Sequence, residues 1–357
     1  MPNANKTKKM NIPQLKANDR PLDEILYQGY APNVISTAMV LGVFDALAEE
    51  PMNANTLSAK LGTIENITEA FANVLVALNL LTKNGADYSL TQISADFLVK
   101  PSPAYQGATI AMSSHYGQVM NQIPKILKNG PPKFDTDMWA NIEAMKVRGQ
   151  GTMGGSIQDV TEFIITLPEF ANLKYMCDLG GSHGFYTMAL LDKNPQLNGT
   201  VLDLPKVAEL AKEIISEMGY SERINTIGAD LETDDPIGDR YDLVFASHVI
   251  YEWKGHLEDN LKRINKAMVP GGIFVSNHLS IDDDECGPMS GTMVELMTRL
   301  MGYPTHHLSE GELKQALEAS GFGDFTARPA EDVRQYRCLI LAARKLGKPG
   351  DRDIARE

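Results

Sequence analysis

The chain has 357 residues, a length that suggests two domains, and 43% of them are hydrophobic, enough for real cores and too many for global disorder. A formal net charge of -13 repels phosphate backbones, which makes nucleic acid a poor default partner. The three cysteines, Cys177, Cys286 and Cys338, are too scattered for a disulfide framework or a zinc site, and they fit a reducing cytoplasm.

The first 21 residues, beginning MPNANKTKKMNIPQ, carry charge with no apolar core behind it, and read as a loose tail rather than a signal peptide. No apolar run approaches the roughly 18 residues of a membrane helix, so no membrane partner is expected. From about residue 22 to 165 the pattern is helical. ISTAMVLGVFDALAEE (35–50) has helical apolar spacing, and NANTLSAKLG is expected to start a short helix with Asn55 as N-cap and Gly62 as the stop. ENITEAFANVLVALNLLTKNG predicts a longer helix that ends at Asn84-Gly85, and ADYSLTQISADFLV predicts a short strand and a turn. Helix, short helix, longer helix and hairpin is the order of a winged helix. Its groove helix (66–80) contains no Lys or Arg and starts beside Glu65 and Glu69, which argues against reading DNA. A helical module that buries its apolar face against a second subunit fits better.

From about 174 short apolar runs alternate with helical stretches: YMCDLG, FYTMALLDKN, GTVLDL, KVAELAKEIISEMG, INTIGADL, YDLVFASHVI, HLEDNLKRINKAM and GIFVSNHL. This alternation predicts a parallel sheet with helices on both faces and a ligand site at the carboxyl ends of the strands. In CDLGGSHGFYT, Asp178 ends a strand and Gly180, Gly181 and Gly184 open the following helix. The spacing is not the dinucleotide G-x-G-x-x-G. An acid beside that helix start repels phosphate and suits an amino or sulfonium group. Asp203 in TVLDLP closes the next strand 25 residues after Asp178 (203 − 178), where an acid accepts from ribose hydroxyls; a helix N-cap is the plainer alternative. Asp230 in IGADLE follows a third strand and suits an adenine amine. Pro270-Gly271-Gly272 is expected to make a sharp turn between a helix and an inner strand. A late helix, GELKQALEASGF, precedes two late strands.

In this order the residues resemble the S-adenosylmethionine-dependent methyltransferases of the class I fold. Over about residues 25–345 the chain is similar to the caffeate, acetylserotonin and bacterial antibiotic O-methyltransferase group, through VLGVFDAL, LSAKLG, LLTKNGADYSLT, PSPAYQG and CDLGGSHG…LDLP…GADL…PGG. The resemblance implies an α/β, doubly wound Rossmann-like methyltransferase domain with an N-terminal, mainly helical winged-helix dimerisation domain. The implied boundaries are a tail at 1–21, the dimerisation domain at 22–110, linking helices that contribute to the substrate pocket at 111–170, the cofactor domain at 171–346 and a tail at 347–357. It further implies S-adenosylmethionine as cofactor, a small-molecule acceptor and a cytoplasmic homodimer formed through the N-terminal domain. Asp178, Gly180, Gly181 and Gly184 would line the methionine part. Asp203 and Leu204 would hold ribose and adenine, Asp230 and Leu231 would border adenine, and Ser247 and Trp253 would pack nearby.

The chain departs from the family where the base belongs. O-methylating members carry His-Asp-Trp after the fourth strand, with two acids that orient the His; here the triplet is Tyr251-Glu252-Trp253, and the acids align with His278 and with His307 or His306. A neutral imidazole with pKa near 6.5 is a ready base at pH 7, whereas a phenol near 10 is not. Three readings are open. Tyr251 orients the substrate while His278 or His307 takes the proton, or the acceptor is an acidic hydroxyl or a carbon that needs no strong base, or Tyr251 only fills space. His278, His306 and His307 with Tyr251 would also make a metal site, against which their distant segments argue. His248 reads as a packed, hydrogen-bonded residue. The acceptor wall is expected on MSGTMVELMTRLMGY, where Met289, Met293, Met297 and Met301 recur every four residues, with His115 reaching in from the helical part. The expected activity is methyl transfer to a small aromatic or polycyclic acceptor at oxygen or carbon. The alternative is non-methylating chemistry, such as hydroxylation, decarboxylation or a pericyclic step, in a retained cofactor pocket.

Overall fold

A computed structural model of the chain describes residues 12–133, 136–231, 233–234, 240–280, 286–305, 307–334 and 338–347. The chain forms two compact units, Met1–Ser94 and Ala95–Glu357.

The first unit contains α1 (Arg20–Gln28), α2 (Ala31–Leu41), α3 (Val43–Glu49), β1 (Met52–Asn53), α4 (Ala54–Leu61), α5 (Glu65–Ala77), β2 (Leu81–Asn84) and β3 (Asp87–Leu90). Its strands make a small antiparallel sheet in the order β1-β3-β2. Asn53, not Asn55, caps α4: its side chain accepts from the Thr56 N–H at 2.9 Å, while the Asn55 amide donates to Glu65. The long helix also stops earlier than its apolar run suggests. Asn79 takes a positive φ of 58°, which closes α5 after Ala77, and Leu81–Asn84 extends as a strand against Asp87–Leu90. Asn84-Gly85 therefore belongs to a hairpin turn rather than a helix end. The run LNLLTKN was compatible with either state, because short apolar runs do not separate strand from helix. No residue of α1 is buried, although Leu22, Ile25, Leu26 and Tyr27 lie on it.

The boundary between the units falls inside α6 (Gln92–Phe97). The second unit continues with α7 (Gly107–Met120), α8 (Ile123–Asn129), α9 (Ile142–Thr152) and α10 (Ser156–Ile165). The alternating part follows: β4 (Tyr175–Leu179), α11 (Phe185–Lys193), β5 (Asn198–Asp203), α12 (Pro205–Glu217), β6 (Ile224–Gly228), β7 (Tyr241–Ser247), α13 (Leu257–Ala267) and β8 (Met268–Leu279). Last come α14 (Met289–Leu300), α15 (Glu310–Ala319), β9 (Phe322–Arg328) and β10 (Cys338–Lys345). The seven strands lie in the order β6-β5-β4-β7-β8-β10-β9, parallel from β6 to β8, with β10 antiparallel to both of its neighbours.

The apolar run in β7 serves both faces of this sheet. Leu243 and Phe245 enter one core cluster, and Val244 and Ala246 enter the other, as the two-residue period of a strand requires. β4 does the same with Met176 on one side and Cys177 and Leu179 on the other. Pro270-Gly271-Gly272 sits inside β8 rather than before it. Met268 pairs with Tyr241 and Ile273 with Leu243, so the segment bulges out of register at Gly271, φ 77°.

The topology positions the site. The chain builds β4, β5 and β6 outward in one direction, then returns so that β7 lies on the other side of β4. The loops that leave β4 and β7 diverge at this reversal and open a crevice at the carboxyl edge. Among the described residues no single helix is long and apolar enough to cross a membrane, and no group of three His, Cys, Asp or Glu side chains is placed to hold a metal ion.

Candidate active site

A cavity of about 730 Å³ occupies that crevice within the second unit. Its floor is the loop after β4. Asp178 ends the strand with 1% exposure; its Oδ2 accepts from Thr187 Oγ1 at 2.7 Å, and its Oδ1 has no hydrogen-bond partner. Burial pushes this carboxyl up to about 7, with the nearby Asp203 charge adding to the shift and the Thr187 hydroxyl opposing it. An ionised Asp178 therefore calls for a cationic neighbour.

The glycines are required by space as well as by backbone. A Cβ on Gly181 would lie 2.7 Å from the Asp178 carboxyl carbon, and one on Gly180 (φ 62°) would lie 2.3 Å from a Val249 methyl. Gly180 and Gly181 line the cavity; Gly184 (φ 74°) sits behind it as the N-cap of α11. Asp203, at the end of β5, ties the loop in place. Its Oδ2 accepts from the Ser182 N–H at 2.9 Å and its Oδ1 from the Leu204 N–H at 2.8 Å. Burial raises its pKa, while those two backbone donors and the Arg148 charge oppose the rise. Asp203, Leu204, Asp230 and Leu231 all face the cavity, as do Ser247 and Trp253.

These residues fit S-adenosylmethionine. The buried Asp178 oxygen suits an ammonium or sulfonium, the glycine loop leaves room for close approach, and the half-buried Asp203 retains acceptor capacity for hydroxyls.

On the side of β7, Tyr251 lines the cavity at 2% exposure. Burial raises its pKa well above 10, and the neighbouring Glu252 charge adds to the effect, so the phenol stays protonated and is a hydrogen-bond donor rather than a base. The two aligned histidines are placed elsewhere. His278 is fully buried in β8, with Nδ1 2.8 Å from Ser276 Oγ and Nε2 3.0 Å from the Leu308 carbonyl, and burial pulls its pKa to about 4. His307 is buried too, and its backbone N–H donates to Thr305 Oγ1. Neither is among the residues that line the cavity, which does not support the expectation that one of them takes the acceptor's proton. His306 lies outside the described residues.

Helix α14 supplies an apolar wall through Val294, Met297, Thr298 and Met301. Met293 is 39% exposed and off the wall, and Met289 is 77% exposed. A helix turns about 100° per residue, so a spacing of four drifts by about 40° per step, and the methionine stripe winds off the facing surface. The facing set is 294, 297, 298 and 301. His115 lies in α7, but its side chain is outside the described residues.

The cavity also collects residues that the sequence did not mark: Trp139, Arg148, Thr152, His183 and Tyr186. His248, expected to be packed, lines the cavity with a positive φ of 56°, its Nε2 3.9 Å from Cys338 Sγ. His183 and Tyr186 lie within or beside the glycine motif and were legible as neighbours of it. Trp139 and Arg148 come from the segment before the sheet, where a charge in AMKVRGQG reads as a solvated helix face.

Residues 138–323 match the O-methyltransferase domain family, and residues 24–100 match the O-methyltransferase dimerisation domain. The chain belongs to the O-methyltransferase family. Among curated relatives of this methyltransferase, the 3-hydroxy-5-methyl-1-naphthoate 3-O-methyltransferase of Streptomyces sahachiroi is 26% identical over 75% of this chain and 79% of its own. The N,N-dimethyltransferase OxyT of Streptomyces rimosus is 27% identical over 86% and 91%. The fold matches that of human N-acetylserotonin methyltransferase in complex with SAM, with a TM-score of 0.73 and 22% identity over 95% of this chain and all of the other.

Proposed function

We propose that the chain transfers the methyl group of S-adenosylmethionine to a small aromatic or polycyclic acceptor whose attacking atom is already electron-rich at neutral pH. An acidic phenol or enol, or an activated carbon, meets that condition. The observation that carries this reading is Tyr251, buried and held protonated where the family keeps its catalytic His. The cofactor supplies a methyl group activated by a sulfonium. Asp178 holds the charged end of the amino-acid tail, Asp203 takes ribose hydroxyls, and Leu204, Asp230 and Leu231 border the adenine. Trp253 closes this side. Met297, Met301 and Val294 exclude water from one face of the acceptor, and the Tyr251 hydroxyl orients it by donating a hydrogen bond. Displacement at a methyl group needs alignment more than proton transfer, and the residues that line the cavity provide it. The naphthoate named for one relative supports a greasy, ring-bearing acceptor, and the N,N-dimethyltransferase name of the other leaves the attacking atom open.

The test is a series of hydroxynaphthoates and phenols of graded acidity, with labelled S-adenosylmethionine. The rate is expected to rise as the acceptor pKa falls toward the assay pH, and Tyr251→Phe is expected to lower it by about 10-fold or less without moving the pH profile. Equal rates for weak and strong acids, or a pH profile lost with Tyr251, would sink the proposal. The exposed apolar residues of α1, with the dimerisation-domain match, support a homodimer. A monomer mass in sedimentation would remove that part.

A further inference from the structure

Three residues before Tyr251, the chain leaves β7 at His248. Its backbone takes a φ of 56°, a left-handed conformation that few residues besides glycine, asparagine, aspartate and histidine adopt. Its N–H donates to the Asn277 carbonyl at 2.8 Å, and the Asn277 side chain donates to Ser247 Oγ at 2.9 Å. The turn is pinned in this way to the end of β8, and the His248 ring reaches across that strand. Nε2 lies 3.9 Å from Sγ of Cys338, the first residue of β10, which pairs with Leu279 at the end of β8.

This contact places the imidazole in one half of the cavity. In the sheet order β6-β5-β4-β7-β8-β10, Asp230, Asp203 and Asp178 stand at the ends of β6, β5 and β4. The His248 ring extends the other way, beyond β7, toward Leu279, which also lines the cavity. Cys338 of β10 and Glu295 of α14 both act on Tyr251, which brings the α14 wall to the same half. The other titratable groups there are poor bases. Burial pushes the Cys338 thiol and the Tyr186 phenol each up to about 12, and Tyr251 stands well above 10, so all three keep their protons. Glu252 lines the cavity too, and a carboxylate is a much weaker base than an imidazole. A thiol donates and accepts weakly, so Cys338 can partner Nε2 whether the ring is neutral or protonated.

We propose that His248 receives the acidic hydroxyl of the acceptor and takes its proton during methyl transfer. The inference rests on the acidic-acceptor reading and names the group that acts on such an acceptor. Apolar surroundings raise the pKa of an entering phenol or enol, so even an acidic hydroxyl tends to hold its proton until a base meets it. As the oxygen–carbon bond forms and the carbon–sulfur bond gives its electron pair to sulfur, the proton passes from the acceptor oxygen to the imidazole. An imidazolium charge replaces the sulfonium charge, and the net charge of the cavity is unchanged. His248 is half-buried, so the proton can pass on to solvent.

His248→Asn tests this, because asparagine tolerates the left-handed backbone and cannot take up the proton. Rates with labelled S-adenosylmethionine are measured for phenols and hydroxynaphthoates of graded acidity, and S-adenosylhomocysteine affinity by calorimetry. For weakly acidic acceptors the variant is expected to lose about 100-fold or more, and for acceptors already ionised in solution about threefold or less. The acid limb of the pH profile for weakly acidic acceptors should move from an imidazole's range to the acceptor's own pKa, while affinity for S-adenosylhomocysteine stays within about twofold. His248→Gly should recover part of its rate when imidazole is added. An equal loss across the series, or no loss, overturns the proposal. So does a matching loss of S-adenosylhomocysteine affinity, which marks His248 as a support of the cofactor pocket. Wild-type rates that do not depend on acceptor acidity defeat the acidic-acceptor reading itself, an outcome read from the wild type alone.

Discussion

A carboxyl group at 1% exposure with one oxygen unpartnered is poorly placed to be an anion until a cation joins it, and Asp178 is such a group. Its pKa in the folded chain is about 7, against an ordinary value of 3.8. Between those values the folded chain keeps a proton that the unfolded chain has lost, so this group makes the ligand-free protein less stable as pH rises from about 4 to 7. A ligand ammonium reverses the preference and drives the proton off. The affinity for S-adenosylhomocysteine should therefore fall as pH drops from 8 to 6. Calorimetry near pH 6.5 in buffers of different ionisation enthalpy should show proton release, absent in Asp178→Asn. Binding without proton uptake or release in the wild type would contradict this assignment. His183, with its pKa near 3, does not titrate in this window. Asp178 and Asp203 were legible in the sequence because each closes an apolar strand and precedes a helix. The burial that neutralises Asp178 was not, since it depends on the Thr187 contact and on the second core that packs behind β4. Likewise, the histidines aligned with the family acids looked chemical in sequence. The ring contacts of His278 with Ser276 and the Leu308 carbonyl become visible only once the strands are in register.

Elements differ in how much of themselves the sequence declares. β7 and β4 announced their burial by continuous apolar runs, and the structure feeds alternate residues of each into two cores. α5 did not announce its end, because LNLLTKN suits a helix or a strand and a single left-handed residue, Asn79, decides between them. For α14 the methionine spacing suggested one face, and the 100° turn of the helix keeps Met297 and Met301 on the cavity wall while carrying Met289 and Met293 off it. That difference is testable. Met297→Ala opens the acceptor wall and should change the acceptor KM by about 10-fold, the effect of removing a few methylene-sized groups from an apolar contact. Met293→Ala, on a side chain 39% exposed and off the wall, should leave acceptor kinetics within about twofold. Equal effects from both substitutions would place the acceptor elsewhere along the helix.

At the scale of the whole chain, composition and charge spoke against nucleic acid, and the alternation after residue 174 specified a parallel sheet with its ligand edge. The order β6-β5-β4-β7 then fixes where the chain reverses, and the cavity opens at that reversal between the loops after β4 and β7. The N-terminal unit carries its signal in exposed apolar residues on α1 rather than in a site of its own. The central claim is that this cavity holds S-adenosylmethionine, and titration of the intact chain with S-adenosylhomocysteine tests it most directly. The account predicts saturable binding at one site per chain, lost in Gly181→Ala, where the added Cβ would sit 2.7 Å from the Asp178 carboxyl carbon. Absence of binding by the wild-type chain, or undiminished binding by Gly181→Ala, would contradict it.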